Sequence, residues 1–494
     1  EDNLLGYSTA GTRFVPQPIT MTRASAGTRV NSSGLVETVE LLGSELVDNG
    51  SFTTDSDWDK TGTWSIENNY ATANGNSTSQ YIQQNFTITN GKTYLFTYEV
   101  IENTLNGNAS SLSSGGGFGS VAISNAIGTH QVYITATNSS ATYALMIGVS
   151  GSATTGTIKL DNVSVKESTK NNLARVDYDG TASSLLVEPE RTNLVPYSED
   201  FSNADWGNAS IGTTPVLTSG FISPDGTNNA YKISNANQDS FLFSLATIGG
   251  SDSRSIYART VSGTGTAQLL SHNSNTNNTF NLTEEWQRFE VSATTSGIGQ
   301  ASYYAVDFRG SGTLTELLIW AAQSEVGSYP TSYIPTDGGT VTRVQDQYSK
   351  TGISNLINSE EGVLFAEMAA LSDDTSTKLI SLNDGVGNDK IELGYFGGNS
   401  LFVNLWSSGV SQGYFIHSVD ITLSHKIAYK YKLNDTALWV DGVEVATDTS
   451  ATMPIGMNIL SFDNGVTNPF FGKVKQLQVF KTALTDPELV TLTT

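Results

Sequence analysis

The chain has 494 residues, with 48 acidic against 25 basic side chains, a net charge of −23, no cysteine and only 15% charged residues. These figures exclude disulfides and thiolate metal centres, and they exclude nucleic acid as a partner, because phosphate recognition needs clusters of Lys and Arg. No apolar run approaches the roughly 18 residues of a membrane span, and the length calls for about three domains rather than one core.

The 20 Phe, 20 Tyr and 7 Trp supply apolar area for such cores, while abundant Gly, Ser, Thr and Asn suit strands and tight turns. In chain order, residues 1–41 carry little periodicity, apart from RASAGTRVNSSGLVE (Arg23–Glu37). That run reads as two short strands around an Asn-Ser-Ser-Gly turn. Residues 42–168 alternate apolar and polar side chains at Tyr81–Ile88, Thr93–Ile101, Gln131–Thr137 and Tyr143–Val149, the signature of half-buried antiparallel strands. Ser110–Gly119 reads as a flexible loop. Residues 169–192 form a connector. Residues 193–340 repeat the pattern, with a Pro224-Asp-Gly turn and strands near Ala230–Ser234, Phe241–Leu245, Arg254–Thr260, Ala301–Arg309 and Leu314–Ala322. Residues 341–494 end in paired hairpins over His425–Thr447, with turns at Asn434-Asp435 and Asp441-Gly442. One helical turn is predicted at Thr485–Leu489, where Thr485 and Glu488 are spaced as a capping box.

Several phrases carry a resemblance. LLVEPERTNLVPYSEDFSNADW (Leu185–Trp206) and IWAAQSEVGSYPTSYIPTDGGTVTRVQD (Ile319–Asp346) bracket the second region. Both resemble phrases of tailed-bacteriophage spike and fibre proteins that carry carbohydrate-binding β-sandwiches. In those proteins a "RAS…V…GL" phrase is closely followed by "R-x-DYD"; here RVDYD (Arg175–Asp179) follows only after residues 42–168. The spacing implies a domain inserted into a hairpin-like turn. The insert opens ELVDNGSF and closes DNVSV, and so resembles a carbohydrate-binding-module sandwich. FFGKVKQLQVFKTALTDPELVTL (Phe470–Leu492) resembles the end of a concanavalin A-like, laminin-G-like jelly roll. The resemblance implies an all-β fold of three consecutive antiparallel β-sandwiches, the first inserted into the N-terminal region. It further implies a head or tail spike or fibre of a virion, adhering to glycans on host or environmental surfaces. Other virion proteins and further copies of the chain, as a trimer, would be its partners. A secreted bacterial polysaccharide-binding protein and a capsid decoration protein without ligand are the alternatives, with a polysaccharide-degrading enzyme behind them.

Catalysis finds little support in the residues. His130, His272, His417 and His425 lie in no nucleophile elbow and no His-Glu-x-x-His run. Glycoside hydrolysis needs two facing carboxylates. Glu188 and Glu190 have the right spacing but flank Pro189, while Glu284-Glu285 and Glu360-Glu361 are adjacent and would face opposite sides of a strand. The expectation is a binding protein without an active centre.

Sugar binding uses aromatic faces with polar neighbours. Trp58 and Tyr81 are the candidates in the first sandwich, with Trp64 and Tyr70 behind them; Trp58 sits in the polar run TTDSDWDKTG, which leaves exposure and core packing equally open. The second sandwich offers Trp206, Tyr303 and Tyr304. In the third, Trp406 and Tyr414 flank SSGVSQG, which reads as a binding loop. Trp320 and Trp439, on strongly apolar strands, read as core. The likeness of the insert to carbohydrate-binding modules also implies a structural calcium held by Glu45, Asn49 and Asp161, although Asp161 equally suits a strand cap. The third domain has Lys475-Gln476 where the jelly-roll family has an Asp pair, which argues against calcium there. Asp384, Asp389 and Asp463-Asn464 read as turn formers or loop oxygen donors.

Overall fold

A computed structural model describes residues 6–8, 14–16, 19–106, 112–210, 214–234, 240–244, 252–270, 279–294, 304–308, 312–465 and 467–494. The chain forms two compact units, Glu40–Lys170 and a larger one made of Glu1–Val39 with Asn171–Thr494. Both are built from antiparallel sheets; among the described strands, Gly6–Ser8 runs parallel to Gly472–Phe480, and an isolated parallel bridge joins Leu379 to Pro469.

The smaller unit is a two-sheet sandwich. One sheet has Leu145–Val149 and Gln80–Gln84 at its centre; the other is organised around Thr93–Asn103 and Thr157–Thr169. Period two explains the core: along TYLFTYEVIEN, Tyr94, Phe96, Tyr98 and Val100 all turn inward. They share one core with Leu160 from the neighbouring strand and Ile147 from the opposite sheet. Leu41–Glu45 runs beside Thr157–Thr169, so the first and last strands of the unit are hydrogen-bonded neighbours.

The larger unit holds two sandwiches. In the first, a sheet centred on Ala305–Asp307 faces a sheet centred on Glu316–Val326, around Leu242, Ile256, Leu269, Tyr304 and Ile319. The second has a seven-stranded sheet, ordered Thr20–Thr22, Gln347–Lys350, Ile459–Ser461, Lys378–Asn383, Lys390–Phe396, Ser400–Ser407, Val410–Ser418. Its nine-stranded partner includes Arg175–Asp179, Ala182–Val187, Gly472–Phe480 and Glu361–Ala370.

Residues 1–41 and 169–192 contribute strands to the C-terminal sandwich: Thr20–Thr22 joins its seven-stranded sheet, and the strands within 175–187 join its nine-stranded one. The reason is burial. Met21, Leu185 and Val187 enter the same core as Leu364, Leu393 and Val474, and Ala182–Val187 covers what would otherwise be a free edge of Gly472–Phe480. The single α-helix among the described residues, Asp486–Thr493, is longer than the turn predicted; the Thr485 N–H donates to the Glu488 carboxylate at 2.8 Å.

The phrases that carry the resemblance converge in space. Arg23 Nη1 meets Asp346 at 2.6 Å, Arg175 Nη1 meets Glu188 at 2.5 Å, and Arg343 Nη1 meets Glu188 at 3.0 Å. Arg175 also pairs with Asp346. None of these five side chains is more than 3% exposed. Burial pushes the Glu188 carboxyl upward, yet the adjacent Arg343 and Arg175 outweigh it and hold the group well below the usual carboxylate range. Gly27 lies against the cluster: an added Cβ would come within 2.9 Å of both Arg175 Cδ and Arg23 Cζ. The network ties together the segments that lead into and out of residues 193–340, the first sandwich of the larger unit. It also removes Glu188 as a catalytic acid, because both its oxygens are engaged by Ser332 and arginine.

Candidate functional site

The seven-stranded sheet has one apolar face and one polar, aromatic face. Along SLFVNLWS (Ser400–Ser407), Leu401, Val403 and Leu405 point into the core. Phe402, Asn404 and Trp406 therefore stand on the opposite face. Register adds their neighbours: Glu392 and Tyr414 lie opposite Asn404, Lys390 and Ser411 opposite Trp406, and Ile416 opposite Phe402.

The stretch SSGVSQG is not the loop expected. Ser408 and Gly409 alone form the turn, both with positive φ (52° and 77°), as a two-residue hairpin requires. Val410–Ser418 then pairs back as an edge strand, with a bulge opposite Leu405 and Trp406. That hairpin brings Trp406 and Tyr414 to one face.

The side chains of this face hold one another. Lys390 Nζ lies 2.7 Å from Glu392 Oε1, and the Trp406 indole N–H donates to Glu392 Oε2 at 2.8 Å. Lys390 Nζ also sits 5.3 Å from the Trp406 ring centroid, within cation–π range. The Ser411 hydroxyl donates to Asn404 Oδ1 at 2.7 Å. Tyr414 packs edge-on against Phe402, with centroids 5.2 Å apart, and Phe402 lies on Phe396 at 4.5 Å. Lys390, Glu392 and Asn404 are buried, Trp406 is half-buried, and Tyr414 is 54% exposed. The arrangement is a locked polar array with an open aromatic ring at its border. Such a surface can stack on an apolar ligand face while offering hydrogen bonds at fixed positions, and the ordering cost of binding is small because the side chains are already placed.

Loops at one end of the face are tied by acidic side chains. Asp389 Oδ1 accepts from the Ser408 and Ile455 amides at 3.2 and 2.9 Å, and Asp384 Oδ1 accepts from Val386 and Gly387 at 2.9 and 2.7 Å. Asp463 does the same for Gly465 at 2.7 Å.

Other candidates lie apart from this face. Trp58 is a core residue, 5% exposed, packed on Phe52 with its indole N–H on the Asn49 carbonyl at 3.1 Å. It has little face to give a ligand, because the ring is buried in the core of the smaller unit. Tyr81 is half-buried and stands on the outer side of its strand, opposite the inward Ile82, so Trp58 and Tyr81 do not share a surface. Trp64, Trp206 and Tyr304 are buried, as are Trp320 and Trp439. Tyr303 and His272 lie outside the described residues.

The three expected calcium ligands are each engaged locally. Glu45 Oε1 accepts from the amides of Leu46, Val47 and Val165 at 3.1, 3.1 and 2.9 Å, and Oε2 from the Ser164 hydroxyl at 2.5 Å. Asn49 donates to the Thr54 and Ser56 carbonyls at 2.7 and 3.1 Å. Asp161 pairs across the strand with Glu99 and accepts from the Asn162 amide at 2.7 Å; burial pushes its carboxyl up. Glu45 reaches the last strand at Ser164, three residues from Asp161, a separation of about 10 Å along a strand. Among the described residues no three acidic or histidine side chains gather as a metal would require. The residues fit backbone clips better than a calcium cage.

No protein-family model matches this chain, and no curated protein does. Among solved structures, the CBM40 module of the Ruminococcus gnavus IT-sialidase is 19% identical, over 30% of this chain and 98% of the module, with a TM-score of 0.26. The tandem CBM22 domains of Paenibacillus barcinonensis Xyn10C are 13% identical over 61% of this chain and 99% of theirs, at a TM-score of 0.19. Domains LG4-5 of the mouse laminin α1 chain are 13% identical over 55% and 92%, at 0.20. Likeness this loose says nothing of a ligand; the β-sandwich architecture stands on the strand pairing described above.

Proposed function

We propose that the chain is a non-catalytic glycan-binding adhesin, acting as a head or tail spike or fibre protein of a bacteriophage virion. The observation that supports glycan binding is the open Tyr414 ring beside the locked Lys390–Glu392–Trp406 array. A hexose presents an apolar face and a rim of hydroxyls, and this surface offers the complement of both. Turnover is not part of the reading: Glu392 is neutralised by Lys390, and Glu188 by its two arginines. The virion assignment rests on the phrases around Leu185–Trp206 and Ile319–Asp346. Single sugar sites are weak, and a trimer would raise effective concentration without new contacts.

A glycan array probed with the full chain and with Tyr414→Ala tests the binding. We expect a set of glycans bound by the wild type and lost in the variant by about tenfold or more in affinity, equivalent to about 1.4 kcal/mol. No bound glycan, or identical profiles, would overturn it. Electron microscopy of virions labelled by an antibody against residues 341–494 tests location; absence of label would move the protein to the extracellular polysaccharide-binding alternative.

A further inference from the structure

The first sandwich of the larger unit carries a cleft that the functional reading above does not use. Its volume is about 400 Å³, within the size range of small-molecule sites. It is lined by Tyr231, Ser219, Asn228, Glu199, Asp200 and Asp337, with Asn229 and Thr336 beside them. Among the described residues no cationic and no aliphatic side chain lines it. Lys232, next to Tyr231, lies 3.7 Å from Glu316 on the neighbouring strand instead.

The walls are set before any ligand arrives. The Tyr231 hydroxyl donates to Asp200 Oδ1 at 2.9 Å, and its ring packs edge-on against Phe201 at 5.7 Å. Glu199 accepts from the Tyr333 hydroxyl and from Asn229 Nδ2, both at 2.8 Å. Ser219, Asn228 and Asp337 are exposed. Burial raises the Glu199 carboxyl above its ordinary range against the bond from Tyr333, and Asp225 and Asp337 add to the rise. A further negative charge would therefore be repelled, with no cation to receive it.

We infer that this cleft is a second glycan site, selective for uncharged oligosaccharides and closed to uronate- or sialate-bearing ones. It rests on the glycan-binding reading. The aromatic wall supplies a stacking face, the carboxylates and the Asn228 amide supply acceptors and donors for hydroxyls, and the unpaired negative field supplies rejection of anions.

The test is calorimetric titration of the full chain with a panel of neutral hexaoses (cello-, malto-, manno- and xylohexaose) and with hexagalacturonate. Ser219→Trp fills the cleft from an exposed strand position, Asn228→Ala removes a lining amide, and Tyr414→Ala reports on the other sandwich. Expected is a neutral hexaose whose affinity falls about tenfold or more in Ser219→Trp, falls measurably in Asn228→Ala and is unchanged in Tyr414→Ala, with no binding of hexagalacturonate at the cleft. Should Ser219→Trp lower the melting temperature, Asn228→Ala alone decides. Neutral hexaoses unaffected by both cleft variants would overturn the inference, as would cleft binding of hexagalacturonate at equal strength. A ligand lost only in Tyr414→Ala refutes the cleft and leaves the proposed function intact. A ligand lost only in the cleft variants supports the cleft as a site separate from the Tyr414 face, which the glycan array with Tyr414→Ala tests on its own.

Discussion

Replacing Glu188 by Gln should be the most damaging single-atom-scale change in the larger unit. Glu188 is the only carboxylate paired with Arg343 among the described residues, at 3.0 Å, and one of two paired with Arg175. The amide keeps the volume and one acceptor for Ser332, but it leaves the buried Arg343 guanidinium without a counter-charge. Breaking one partner of a buried pair costs about 3–5 kcal/mol; with one carboxylate serving two arginines, about 4 kcal/mol is reasonable. At this size, each kcal/mol lowers the midpoint by about 2 °C, so scanning calorimetry should show the larger unit melting about 8 °C lower. The acid limb provides a second readout. The folded-state pKa of Glu188 is depressed, so its stabilisation is fully present above the unfolded value near 4.3 and is lost as pH falls toward the folded one. Wild type should therefore lose stability below about pH 5 more steeply than Glu188→Gln. A variant melting within 1 °C of wild type, or an unchanged acid slope, would refute the reasoning.

Gly27→Ala should destabilise the same unit by about 1–3 kcal/mol, because its Cβ meets Arg23 and Arg175 at 2.9 Å; chemical denaturation would show it, and a neutral result would mean the cluster yields. Trp58→Ala should cost the smaller unit about 3–5 kcal/mol, measured by urea unfolding, whereas an exposed ligand-binding tryptophan would leave stability unchanged. EDTA should leave the melting temperature of the smaller unit within 1 °C, given how Glu45 and Asn49 are engaged; a large drop would restore a calcium site at Glu45, Asn49 and Asp161.

The all-β architecture was legible because period two is a local signal. Leu401, Val403 and Leu405 alternate with Phe402, Asn404 and Trp406, and the sheet follows. Strand partners were less legible. Ala182–Val187 reads as a connector until Gly472–Phe480, far along the chain, comes to lie beside it. Trp58 misleads because its neighbours in sequence are polar while its ring is buried in the core of the smaller unit. Trp406 and Tyr414 are visible as aromatics, but Glu392, Lys390 and Asn404 acquire meaning only through cross-strand register. The charge cluster was present in four separate phrases, and nothing in their spacing shows that Arg23, Arg175, Glu188, Arg343 and Asp346 meet.

The glycan-binding claim meets its most direct test in a crystal structure of the full chain soaked with the strongest ligand from the array. We expect a sugar ring stacked on Tyr414, with hydroxyls reaching the Trp406–Glu392–Asn404 row. A bare Tyr414 face in crystals where that surface is free of packing contacts, with the sugar bound elsewhere, would contradict the account.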